Sequence, residues 1–138
     1  MTFTGVAFQR CLLALAFAAS TLAVDCAQAE EYIKLRPPAT AKGFVGGESH
    51  DSYSIHARKG QTLTVQIAWK LEHDEGISDN HAEFWVGDSP DYGSGVVKFG
   101  RKSDNGKTLT GKIPRTGIYY IYVTAYPTAD YTLKVTVK

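Results

Sequence analysis

In Thr62-Leu63-Thr64-Val65-Gln66-Ile67-Ala68-Trp69 the side chains alternate, with Leu63, Val65, Ile67 and Trp69 on one side and Thr62, Thr64, Gln66 and Ala68 on the other. Successive side chains of a β-strand point to opposite faces, so this is the pattern of a strand with one face buried and one in water. Upstream, Tyr53, Ile55 and Ala57 alternate with Ser52, Ser54 and His56, and Arg58-Lys59-Gly60-Gln61 between the two segments has turn chemistry. The two segments are expected to form a hairpin. Downstream, 82–86 and 96–99 read as short strands around a Gly/Asp/Pro-rich turn, followed by a turn at 100–106 and an alternating segment from Leu109 to Ile113. Ile118 to Tyr126 is the longest strand, Pro127 to Asp130 a turn, and Tyr131 to Val137 the closing strand. No helical period occurs after residue 30. The pattern predicts an all-β chain, an antiparallel β-sandwich of about seven to eight short strands. Its core should contain Leu63, Val65, Ile67, Ile121, Val123, Leu133 and Val135. Between Glu30 and Gly47, Tyr32, Ile33 and Leu35 suit a possible edge strand that Pro37-Pro38 ends, with a loop to follow.

The first residues carry a different signal. Arg10 precedes an uncharged run from Cys11 to Val24, and Ala27-Gln28-Ala29 is a small-x-small cleavage site. The run is short of the roughly 20 apolar residues that a membrane span requires. Residues 1–29 are therefore expected to be a secretory signal peptide, and 30–138 a single β-sandwich domain, periplasmic or secreted. Both cysteines, Cys11 and Cys26, would leave with the leader, so neither a disulfide nor a thiol nucleophile remains. Asp25 stands where a lipoprotein signal needs a small uncharged residue, which argues against a lipidated Cys26. The net charge of +1 contains no basic block for nucleic acid, and no later apolar run is long enough for membrane insertion.

Chemistry-bearing residues are few. His73 and His81, with Asp74, Glu75 and Asp79 between them, lack the short fixed spacing of a zinc site, and Asp88, Asp91 and Asp104 match no EF-hand loop. No metal or other cofactor is expected. The chain has no nucleophile elbow and no serine placed by sequence beside a histidine and an acid, so no catalytic residue is assigned and the protein is read as a non-enzyme. On the longest strand, Tyr119, Ile121, Val123 and Ala125 would face the core and Ile118, Tyr120, Tyr122, Thr124 and Tyr126 the outside. Trp85 is also expected outside. Such a face suits contact with a protein or a sugar ring, and it suits cross-strand packing equally well.

Two stretches resemble a known family. Asp51-Ser52-Tyr53-Ser54-Ile55 with Ala57-Arg58-Lys59-Gly60-Gln61-Thr62-Leu63-Thr64-Val65 resembles a hairpin segment of the periplasmic inhibitors of goose-type lysozyme. Ile113-Pro114-Arg115-Thr116-Gly117-Ile118-Tyr119 with Tyr131-Thr132-Leu133-Lys134-Val135 resembles their turn and closing strand. The same outline occurs in the broader pre-peptidase C-terminal (PPC) type of β-sandwich. The resemblance implies inward-facing Tyr53 and Tyr119, and a protein that occludes the active-site cleft of a goose-type lysozyme with loops at one end of the sandwich. The matching loops are Gly46 to Asp51 and Tyr126 to Asp130, which puts Glu48, His50, Asp51, Tyr126 and Asp130 at the contact with the lysozyme partner. The alternative is a stand-alone PPC-like module binding glycan or an envelope protein through Tyr120, Tyr122 and Trp85.

The processing site is directly testable. Mass spectrometry of exported protein is expected to find Glu30 at the N-terminus, and a diacylated Cys26 there would overturn the leader assignment.

Overall fold

The computed structural model describes residues 31–70 and 79–138. The expected leader, 1–29, and His73, Asp74 and Glu75 of the acidic loop lie outside the described residues. The described chain forms β1 (Ile33–Lys34), β2 (Ala39–Gly46), β3 (Asp51–Ala57), β4 (Thr62–Trp69), β5 (His81–Gly87), β6 (Arg101–Lys102), β7 (Thr108–Lys112), β8 (Gly117–Tyr126) and β9 (Thr128–Val137). They make a four-stranded sheet in the order β1-β3-β8-β5 and a five-stranded sheet in the order β2-β9-β4-β7-β6. Every pairing is antiparallel except β1 with β3. The all-β sandwich expected from the alternation is the observed architecture.

The inward residues are those that the period marks. Tyr53, Ile55, Phe84, Val86, Tyr119, Ile121 and Val123 of one sheet meet Leu63, Val65, Ile67, Tyr131, Leu133 and Val135 of the other, all buried. A core of two interdigitating apolar faces is the standard solution for stacked sheets. Tyr53 and Tyr119 point inward, as the resemblance implied.

Three expectations need correction. First, the segments around Arg58–Gln61 are not a hairpin. β3 gives its two edges to β1 and β8, and β4 gives its edges to β7 and β9, so the turn carries the chain from one sheet to the other. The turn is closed by Gln61 N–H donating to the Arg58 carbonyl at 3.1 Å, with Gly60 at φ +88°, a region that disfavours a side chain. A chain reversal within a sheet and one between sheets both keep the apolar set facing the core, so period alone does not separate them. Second, 96–99 is not a strand; Val96 makes only an isolated bridge to Gly87. Third, the segment after Pro37-Pro38 is a strand rather than a loop: β2 runs in register along β9 from Ala39 opposite Val135 to Gly46 opposite Thr128. Gly43 and Gly46 weaken its sequence signal, because glycine is a poor strand former.

The register predicts stability effects. Leu133 is 0% exposed, so Leu133→Ala should cost about 2 to 4 kcal/mol in urea unfolding through lost burial and the cavity left behind. Gln66 lies on the water-facing side of β4, and Gln66→Ala should stay within about 0.5 kcal/mol of the unaltered protein. Equal effects at the two positions would contradict the register.

Candidate functional site

At one end of the sandwich the two sheets are joined by a polar contact. Asp51 and Tyr53 are two residues apart on β3 and so lie on the same face, opposite Tyr131 of β9. The Tyr131 hydroxyl donates to Asp51 Oδ2 at 2.5 Å and lies 2.5 Å from the Tyr53 hydroxyl. A phenol has one proton, and Tyr131 gives its proton to the carboxylate, so Tyr53 is the donor in the second bond. Burial pushes the Tyr53 phenol above its usual range. Tyr131 is raised further, by burial first and then by the proton it holds against Asp51. Gly43 of β2 makes room for this group: a Cβ there would lie 2.5 Å from Asp51 Oδ2 and 2.6 Å from the Tyr131 hydroxyl oxygen.

The link holds the end where the two expected contact segments meet. Gly46 pairs with Thr128, and Gly47 N–H donates to the Pro127 carbonyl at 3.0 Å. Residues 46–50 form a tight turn in which the Ser49 hydroxyl donates to the Gly46 carbonyl at 2.7 Å. Glu48 is exposed at this turn, and Tyr126, 62% exposed, ends β8 one residue before the Pro127 that bonds Gly47. The turn expected to run through Asp130 is a corner at Pro127; Thr128 already belongs to β9, and Asp130 is paired opposite Phe44 in the other sheet. Asp51 is half-buried, with its carboxylate engaged by Tyr131.

The outer face of the four-stranded sheet differs from expectation in its exposure. The parity is as read, since Tyr119, Ile121, Val123 and Ala125 are buried on the inner side. Yet Tyr122, on the outer side, is only 1% exposed. Its hydroxyl donates to the Ser89 carbonyl at 2.9 Å, and the rings of Tyr92, His50 and Tyr32 surround it at 5.3, 6.2 and 6.5 Å. Tyr32 also packs on Tyr120 at 4.9 Å, and its hydroxyl donates to the Pro90 carbonyl. His50 stacks on Tyr92 at 4.4 Å and 20°, and Tyr92 stands edge-on to Trp85 at 6.4 Å. The structure thus brings His50 of the end loop together with Trp85, Tyr120 and Tyr122 of the aromatic face.

These groups are joined by Tyr32, which the sequence marks only as part of an edge strand, and by Tyr92, which it does not single out. Tyr92 sits in Pro90-Asp91-Tyr92-Gly93-Ser94, where nothing but its aromatic character stands out from turn residues. The loop folds back over the sheet because Asp88 N–H donates to the Gly95 carbonyl and Val97 N–H to the Val86 carbonyl, each at 3.0 Å. Arg115 holds Asp88 at 3.0 Å. Between this loop and β5 and β8 lies a cleft of about 200 Å³ lined by Trp85, Gly87, Tyr92, Ser94, Val96 and Tyr122.

Among the described residues no group of three His, Cys, Asp or Glu is placed to hold a metal ion. His81 faces Glu83 at 3.8 Å and Tyr126 at 6.1 Å.

Comparison with solved structures places the fold. The chain is similar to Aeromonas hydrophila PliG, a periplasmic lysozyme inhibitor of g-type lysozyme, at 25% identity and TM-score 0.57, over 78% of this chain and 96% of that one. It is similar to the pre-peptidase C-terminal domain of Bacillus anthracis collagenase at 21% identity and TM-score 0.54, over 78% and 96%. Salmonella Typhimurium PliG aligns at 20% identity and TM-score 0.51, over 78% and 99%. No protein-family model and no curated protein sequence matches the chain. The likeness in fold to lysozyme inhibitors and to the PPC domain, first visible in two short stretches, extends over 78% of this chain.

The polar link has a pH signature. Both phenols are held above their ordinary value in the folded state, so the link stabilises fully below the unfolded value of about 10 and is lost as pH rises through the folded values. Tyr131→Phe should cost about 1 to 3 kcal/mol at neutral pH, since it leaves the Asp51 carboxylate without its donor. It should also flatten the decline in urea midpoint above about pH 10. An unchanged alkaline slope in Tyr131→Phe would show that the link is not its source.

Proposed function

We propose that this protein is an exported, non-enzymatic binding protein of the lysozyme-inhibitor type, which occludes the active-site cleft of a goose-type lysozyme. The observation that carries the reading is the adjacency of the 46–50 turn and the Pro127 corner at one end of a sandwich similar to that of Aeromonas PliG. That end presents Glu48, His50 and Tyr126, while Asp130 lies at the start of β9 on the adjoining face. A cleft-blocking protein needs no chemistry of its own. It needs side chains that fill the partner's groove with little loss of freedom, and aromatic groups do this well. His50 is held against Tyr92 before any partner arrives. Asp51 serves by fixing the backbone next to it through Tyr131.

The alternative, a PPC-like module that binds glycan or an envelope protein through Tyr120, Tyr122 and Trp85, finds less support as a flat platform. Tyr122 is covered and Tyr120 lies under Tyr32.

Lysozyme assays test the proposal. The mature protein is expected to slow a goose-type lysozyme at micromolar concentration, with chicken- and invertebrate-type enzymes and peptidoglycan as parallel arms. His50→Ala and Tyr126→Ala should each weaken inhibition about tenfold or more, while Gln66→Ala, on the opposite face, should leave it unchanged. If no lysozyme is slowed, or if both end substitutions leave inhibition intact, this reading is wrong.

A further inference from the structure

The outer face of the five-stranded sheet carries charge that the lysozyme reading does not use. Alternation with the buried Val45 and Val135 puts Lys42 and Phe44 of β2 and Lys134 of β9 on that face. Lys112 of β7 joins them, opposite the outward Thr62. Arg101 of β6 is opposite Thr110, which has the parity of Lys112, and Lys138 extends β9 opposite Thr62 through backbone bonds of 2.7 and 3.0 Å. All five cations are exposed. None forms an ion pair with another described residue. Asp130 is the one side-chain carboxylate that the five strands place on this face. The chain's net charge of +1 conceals the patch, because Glu83, Asp88 and Asp91 lie on or just after β5 in the other sheet.

The spacing of the charges narrows what they fit. Neighbouring strands lie about 4.8 Å apart, so from Lys42 on β2 to Arg101 on β6 the charges span four strand steps, about 19 Å. Along the strands, Lys42 is level with Ala68 and Lys138 with Thr62, a separation of six residues and about 20 Å. A single phosphate group needs cations that converge on one point, and a linear polyanion needs them in a row. Cations spread in two directions, with threonines between them, match an extended surface of negative charge. The twist of the sheet displaces its corners, and the long stems of lysine and arginine let the charged heads meet a common plane. Phe44, 64% exposed and two residues from Lys42, stands at one corner of the same face. An apolar ring gains nothing against a soluble polyanion. Beside lipid headgroups it reaches the boundary with the acyl chains.

We propose that this face docks the protein, peripherally and reversibly, on an anionic lipid bilayer. Lys42, Arg101, Lys112, Lys134 and Lys138 lie over the headgroup phosphates, and Phe44 enters the interfacial layer. The attraction is electrostatic, adds up over the cations near the surface and falls off within a Debye length. None of these six residues is a proposed lysozyme contact, so the inference is independent of that reading and its test contains no lysozyme.

Vesicle sedimentation tests the docking. The purified protein is mixed at low salt with vesicles of phosphatidylglycerol and phosphatidylcholine, with vesicles of phosphatidylcholine alone, and with dextran sulfate, a linear polyanion. It is expected to sediment with the mixed vesicles and not with phosphatidylcholine, and salt at about 0.5 M should release it. Lys112→Gln and Lys134→Gln should each weaken vesicle binding about fivefold. Lys34→Gln removes the same charge from the exposed edge strand of the other sheet, and it should leave binding within about twofold. Phe44→Ala should weaken vesicle binding about threefold or more and leave binding to dextran sulfate unaltered. All four positions are exposed, and thermal melts check that each variant is folded. No sedimentation with the mixed vesicles, equal sedimentation with phosphatidylcholine, or equal losses in Lys34→Gln and Lys112→Gln would overturn the inference. So would tighter binding of dextran sulfate together with unchanged vesicle binding in Phe44→Ala, the outcome expected of a site for a linear polyanion.

Discussion

The Tyr131 hydroxyl is the point on which the end of the sandwich that carries the 46–50 turn depends. Apolar packing between two sheets is strong but non-directional, and it tolerates small shifts of one face over the other. A hydrogen bond to a carboxylate does not. By bonding Asp51 and accepting from Tyr53, Tyr131 pins the start of β3 to β9 at one place and one distance. Gly43 completes the constraint from β2, where any side chain would displace the group. The turn at 46–50 joins β2 to β3, so its β3 end is held by this contact and its β2 end by the pairing of Gly46 with Thr128 on β9.

The sequence was informative wherever a position has only two choices, inside or outside. Every residue of the expected core, from Leu63 to Val135, is buried. Which strands are neighbours was not legible, because pairing depends on the edge rather than on the face. Arg58–Gln61 and Pro127 both carry turn residues, and both lead from one sheet to the other. A hairpin and an inter-sheet crossing place apolar residues in the same alternation. The difference lies in backbone direction at the turn, for which these residues carry no exclusive signature. β2 escaped notice for a related reason. It pays for its close approach to Tyr131 with glycine, and glycine erases the strand signal.

For the site, parity again came through and exposure did not. Tyr122 faces away from the core, as alternation requires, yet it is covered by residues from three distant segments: Tyr32, His50 and Tyr92. Each is an isolated ring in an irregular stretch, and no period relates one to another. The β1–β3 and β3–β8 pairings bring Tyr32 and His50 beside Tyr122, and the fold of 88–95 back across β5 and β8 adds Tyr92. As a result, the end loops and the aromatic face, which the sequence presents as separate candidates, share a boundary at His50.

That boundary ranks the proposed contact residues physically. Binding costs free energy for every side chain that must be immobilised, so a group held in place beforehand contributes more of its contact energy to affinity. Tyr126 has its ring largely in water, with His81 at 6.1 Å as a loose neighbour, and Glu48 sits on an exposed turn. His50 is different on both sides. Its backbone adjoins Asp51, which Tyr131 fixes, and its imidazole lies flat against Tyr92 at 4.4 Å. Tyr92 is in turn packed on Tyr122, whose hydroxyl is bonded to the loop carbonyl of Ser89. His50 therefore reaches any partner with its rotamer already chosen by the fold. Of the exposed end it is the group whose burial would be least offset by ordering.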